Sequence, residues 1–236
     1  MNGNKGLVAL GALVGAGLVL MGWILGSSAI RFKGFERVVS VKGLAEREVP
    51  ADIALWPIRF TAANADLPAL YVSLEADTRQ VVAFLTEAGF DAAELTVAAP
   101  TVTDKLAQQY GNQDRVQLRY AAQQTITVYS KKVDLVRATM NRLAELGKKG
   151  IAFGGQEYGQ TEYLFTGLND VKPAMIEEAT RKAREVAEKF ANDSSSKLGK
   201  IRSANQGQFT ITDRDSNTPH IKNVRVVATV DYYLSD

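Results

Sequence analysis

The sequence predicts an α+β fold behind an N-terminal transmembrane helix, and three observations predict it. First, no residue from Gly6 to Ile30 carries a charge. Second, stretches in which apolar and polar residues alternate come in adjacent pairs, the period of a half-buried strand. Third, three longer stretches repeat apolar residues at three and four, each opened by a capping residue and closed by glycine, as amphipathic helices do. The order is β-β-α-β-β-α-β-α-β-β, and strand pairs broken by helices imply antiparallel hairpins with three helices packed on one sheet face.

The run 6–30 is long enough at about 1.5 Å per residue to cross a ~30 Å hydrocarbon core. The chain then divides into a tail (1–5), an anchor (6–30), a stalk (31–37) and one domain (38–235). Ser27-Ser28-Ala29 resembles a cleavage site, but a signal peptide has an apolar core of only about 7–15 residues, so the reading is an uncleaved anchor. Lys5 favours an inside N-terminus against Arg31, Lys33 and Arg37 on the other flank, and a short tail before a large domain inserts as a signal anchor. The expected address is a bacterial inner membrane, single-pass, with the domain in the periplasm. Gly11, Gly15, Gly22 and Gly26 lie on one helical stripe, within about 60° at 100° per residue. Glycine is common in membrane helices; the sharper reading is a surface on which copies of this helix pack.

Val39, Val41, Gly43 and Ala45 make the first strand's inner face, Pro50-Ala51-Asp52 the turn, and Ala54, Trp56, Ile58 and Phe60 the second strand's. Asp66 caps a helix with Pro68 in its first turn and Leu67, Leu70, Leu74, Val81 and Leu85 as its stripe, stopped by Gly89. A strand over 94–102, a polar excursion over 104–117 and a strand over 119–129 follow. Ser130 is expected to cap the second helix (Val133, Val136, Met140, Leu143) and Gly147 to stop it. After a glycine-rich passage, Gly150 to Gly159, comes a short strand at Tyr163-Leu164-Phe165. The longest helix is capped by Asn169 or Asp170, with Pro173 in its first turns. Met175, Ala179, Ala183, Val186, Ala187 and Phe190 face inward, and the helix ends after Leu198 at Gly199. Strands over 201–212 and 223–234 flank a polar turn, Asp213 to His220.

The totals exclude several classes. Of 236 residues none is cysteine, which removes disulfides, thiolate catalysis and cysteine-ligated metals. Past the anchor, 27 basic residues face 26 acidic ones, too balanced for a nucleic-acid-binding protein. His220 is the only histidine, no G-x-S-x-G pattern occurs, and no serine nucleophile can be drawn around it. It reads as a solvated loop residue. Asp213, Asp215 and His220 could approach a metal, but Asp213-Arg214-Asp215 more simply makes a turn whose side chains cap backbone N–H groups. Gly150, Gly154, Gly155 and Gly159 lack the Gly-Lys-Ser/Thr of a phosphate loop and read as a connector. Arg181, Lys182, Arg184, Glu185, Glu188 and Lys189 alternate in sign as a solvated helix face does. No catalytic, cofactor-binding or metal residue is therefore assigned, and no enzyme is expected.

Val39-Ser40-Val41-Lys42-Gly43-Leu44-Ala45-Glu46-Arg47-Glu48-Val49 with Ala51-Asp52-Ile53-Ala54 resembles the opening hairpin of the SIMPL-domain family. Arg119-Tyr120-Ala121-Ala122-Gln123 before Ile126-Thr127-Val128 resembles its central strand, Ala179 to Leu198 its long helix, and Val224 to Val230 its closing strand. The resemblance covers about 38–235 and implies an α+β domain, an extracytoplasmic location, and large ring-, cage- or channel-like homo-oligomers. It also implies a link in some members to envelope or oxidative stress, and no catalytic residue to carry over. The expected partners are copies of the chain and the lipid bilayer, not nucleic acid. The competing expectations are a binding module for a small molecule or envelope partner, using 104–117 or the Asp213–His220 turn, and an uncharacterised enzyme.

Overall fold

The computed structural model describes residues 3–34, 37–107, 117–154 and 160–235. Helix α1 (Gly3–Gly34) is continuous over 32 residues, about 48 Å of helix. Among the described residues no helix is long and apolar enough to cross a membrane; in α1 the longest stretch with described side chains is 13–27. The helix expected over 6–30 is present as part of α1.

The remaining elements are β1 (Val38–Pro50), β2 (Ile53–Asn64), α2 (Leu67–Ala88), β3 (Leu95–Val97), β4 (Thr101–Asp104), β5 (Tyr120–Ser130), α3 (Val133–Met140), α4 (Ala144–Lys148), β6 (Ala152–Phe153), β7 (Glu162–Leu164), α5 (Leu168–Asp193), β8 (Lys197–Gln206), β9 (Thr210–Asp213) and β10 (Ile221–Ser235). They form two sheets, not one. The first has the order β1-β10-β8, with β9 also on β10; the second has β3-β5-β2-β6, with β4 on β5 and β7 on β2. The α+β class stands. By contacts the chain divides into two units: Met1–Arg47, Val171–Thr210 and Arg225–Asp236 make the first, Glu48–Asp170 and Ile211–Val224 the second.

The second unit is built on the β2–β5 ladder, in unbroken register from Ala54↔Ser130 to Asn64↔Tyr120. Alternation puts Ala54, Trp56, Ile58 and Phe60 on one face with Ala122, Ile126 and Val128, all buried. Helix α2 lays Leu70, Leu74, Val81, Phe84 and Leu85 against them; burying each such side chain is worth about 1.5–3 kcal/mol. Its start is as expected, Asp66 Oδ2 accepting from the Ala69 N–H at 3.0 Å, and Gly89 ends it.

Several boundaries differ from expectation for local reasons. The strand over 94–102 is a 3-10 turn (Ala92–Glu94) and two short strands, β3 and β4, parted at Pro100; proline has no N–H to give a ladder. Both pieces still pair with β5, and Gln124, buried in β5, donates to Ala98 O across the gap at 3.0 Å. Ser130 does not cap α3. Its Oγ accepts from the Lys132 N–H at 3.0 Å and donates to Glu94 at 2.6 Å, while Lys132 holds the cap position without a side-chain bond to the helix N–H groups. The second helix splits into α3 and α4, and the stop is Gly150, not Gly147: Gly150 has φ 95°, open to glycine and strained for other residues.

In the first unit α5 lies on β1, and the fit is close. A Cβ on Gly43 would stand 1.8 Å from Ala179 O and 2.5 Å from Ala183 N, inside any van der Waals contact. The inward stripe is accordingly Met175, Ala179, Ala183, Ala187 and Ala191; Phe190, expected inside, is 55% exposed. Leu168 already lies in α5, so Asn169 and Asp170 are helical residues, not caps. The helix ends at Asp193, five residues short of Leu198, where Ser195 takes φ 54°. Gly199 lies inside β8, and the strand over 201–212 is broken into β8 and β9. The charged face pairs as expected, Lys182 with Glu178 at 2.7 Å and Arg184 with Glu188 at 3.0 Å.

Candidate functional site

The sequence-predicted groups are widely placed. Gly11, Gly15, Gly22 and Gly26 lie on α1 with no atom within 4 Å of where a Cβ would stand, so that stripe is open. The base of the 104–117 excursion is held by Arg119 Nη2 donating to Asp104 Oδ2 at 2.7 Å, which lowers the Asp104 pKa; residues 108–116 lie outside the described residues. Gly155 and Gly159 of the glycine-rich passage also lie outside them.

The Asp213–His220 turn is the best-built polar feature of the second unit. It closes through Arg214 N–H to Ile221 O and Ile221 N–H to Thr218 O, both at 2.9 Å. Asp215 organises it: Oδ1 accepts from the N–H groups of Asn217 and Thr218 at 2.8 Å each, while Oδ2 takes the Thr218 hydroxyl and Arg214 Nε. These bonds, the Thr218 hydroxyl foremost, push its pKa down to about 2. Asp213 instead pairs with Lys222 Nζ, whose side chain is only 9% exposed. The two carboxylates are therefore committed separately. Among the described residues no three His, Cys, Asp or Glu side chains stand close enough to hold a metal ion.

His220 differs from expectation. It is half-buried, with its ring 6.0 Å from the Tyr163 ring at an interplanar angle of 65°, an edge-to-face pair. Burial lowers its pKa first, then Arg137 and Arg214; Asp134 and Asp215 oppose them. The two rings border a cavity of about 770 Å³, within the range of small-molecule sites. Arg137 and Met140 bring the end of α3 to it, Glu162 and Tyr163 bring β7, and Asn217 and His220 bring the turn. Among the described residues the Tyr163 hydroxyl's hydrogen-bond partner is Met140 Sδ, at 3.9 Å, and burial raises its pKa.

Arg137 and Tyr163 went unrecognised in the sequence because each lies far from residue 220 along the chain. Arg137 follows the core residue Val136 and so stands beside the buried stripe of α3, where a charge inside an apolar segment was the available signal.

A family described as SIMPL, protein of unknown function (DUF541), matches residues 39–231. No curated protein matches the chain. The chain belongs to the SIMPL family.

Proposed function

We propose that this SIMPL-family chain is a non-enzymatic, membrane-tethered protein that assembles with copies of itself into a large ring-, cage- or channel-like particle outside the cytoplasm, in envelope or oxidative-stress protection. One observation carries the assembly: β8 ends its sheet, and every residue of it except Leu198 is exposed. A ten-residue strand with an open edge is a template for another chain's strand. The uncharged run 6–30 supports the tether, and the open glycine stripe supports close packing of anchors within it. A heterologous contact repeated by rotation closes a ring.

Native mass measurement of detergent-extracted protein tests this. A particle of many subunits is expected, reduced in size by Ile201→Lys on β8, where Ile201 is half exposed. A monomer well above micromolar concentration overturns the reading.

A second reading has its own observation. The Asp213–His220 turn borders a cavity of ligand size, as a binding module would require. A ligand that raises the melting temperature in wild type and not after shortening of the turn supports it.

A further inference from the structure

We propose that the cavity beside the Asp213–His220 turn is a binding site for a small oxyanion, a carboxylate or phosphate group, held between Arg137 and His220. The inference rests on the binding reading above and adds the class of ligand.

Most of the acidic groups around the cavity are already paired within the protein. Asp213 is committed to Lys222, and Asp215 to its own turn and Arg214. What remains at the lining is rich in donors: the Arg137 guanidinium, the His220 ring and the Asn217 amide. Arg137 has one described ion pair, 3.5 Å from Asp134, whose side chain is 97% exposed. Such a pair contributes little and leaves most of the guanidinium fork to a ligand. Glu162 is the one carboxylate at the lining without a described partner, and it sits on an exposed position of β7.

The charges that face His220 are Arg137 and Asp134 from α3, Arg214 and Asp215 from the turn, Asp213 from β9, Lys222 from β10 and Glu162 from β7. Of these, Arg137 and Arg214 each act on the ring more strongly than Asp134 or Asp215. The two guanidinium groups that act on the ring, Arg137 and Arg214, are the charges an oxyanion is drawn to. Binding of that oxyanion then favours the protonated ring, so affinity tightens as pH falls through the histidine range.

Because His220 is the only histidine, its ring resonance reports the site without interference. The experiment follows the ring pKa by NMR in full-length, histidine-labelled protein in one detergent. The probes are malonate, inorganic phosphate, choline and glucose, at equal ionic strength. Malonate, phosphate or both are expected to raise the ring pKa by about half a unit or more, equivalent to ~3-fold tighter binding to the protonated form. Which of the two acts tells a carboxylate source from a phosphoryl one. Arg137→Gln raises the pKa of the free ring and loses the oxyanion response; Asn217→Ala, which keeps the backbone N–H of the turn, weakens it. An oxyanion response unchanged in both variants overturns the site. A response to choline or glucose alone overturns the oxyanion and leaves the binding reading standing. No response to any probe overturns both.

Discussion

Two helices in this molecule each cover a sheet face, and they do it with opposite materials. Helix α2 presents Leu70, Leu74, Val81, Phe84 and Leu85 to Trp56, Ile58 and Phe60, so helix and sheet are held apart by large side chains that interdigitate. Helix α5 presents four alanines and Met175, and its backbone rests on Gly43 of β1. The first interface stores its stability in buried volume and is damaged by removal. The second stores it in closeness and is damaged by addition.

The α5–β1 contact is tightest at Gly43. Gly43→Ala places a methyl group where Ala179 O already is, and neither backbone can yield without parting α5 from β1. We expect a loss at the ~5 kcal/mol end of single substitutions, seen as lost amide protection at Val230 and Tyr232 with that of Ile126 and Val128 retained. Phe60→Ala, wholly buried under α2, should cost about 3–5 kcal/mol in urea denaturation followed by Trp56 fluorescence. Ala183→Leu should cost roughly 1–3 kcal/mol by overpacking, whereas Val82→Leu, half-buried on α2, should stay within about 0.5 kcal/mol. If both changes on the helices were equally tolerated, the contrast would be wrong.

A smaller effect separates the polar turn from both cores. Asp215 has its folded pKa depressed to about 2 from 3.8. Its contribution is present above the unfolded value and is lost as pH falls through that window. Wild type and Asp215→Asn should differ in melting temperature at pH 5, and the difference should shrink toward pH 2. Smallest of all is Phe190→Ser: at 55% exposure the folded chain should change by less than about 0.5 kcal/mol. A clear loss of oligomer mass with that variant would place Phe190 in a contact between copies.

Much of the architecture was legible because local patterning and tertiary packing agree. The alternation of Ala54, Trp56, Ile58 and Phe60, the cap at Asp66 and the stop at Gly89 all appear where periodicity and capping put them. Legibility failed where the deciding neighbour is distant. Phe190 fits a helical stripe by spacing, but with backbone against backbone at Gly43 the stripe follows the alanines. Ser130 has the chemistry of a cap, yet Glu94, on another element, takes its hydroxyl. Pro100 carries the signal of its break, which the reading of 94–102 as one strand passes over; Gly147 and Gly199 look like stops because glycine signals a terminus without saying which glycine bears the positive φ. The candidate site was half visible. Asp215 as a turn-former could be read from Asp-Arg-Asp, but the half-burial of His220 depends on Tyr163, which only the fold brings near.

The way the two units share the chain bears on how the protein is made. Glu48–Asp170 supplies nearly all of one unit as a single continuous stretch, needing only Ile211–Val224 to complete it. The other unit is assembled from three separate stretches, Met1–Arg47, Val171–Thr210 and Arg225–Asp236. During synthesis from the N-terminus, β1 therefore emerges and waits while the continuous stretch is made and its local pairings form. It finds its neighbour β10 only after Ile221–Ser235 has left the ribosome. Through that interval the first strand has an unpaired edge on both sides. Premature termination before β10 would leave the β2–β5 ladder able to form and α5 without a complete sheet to rest on.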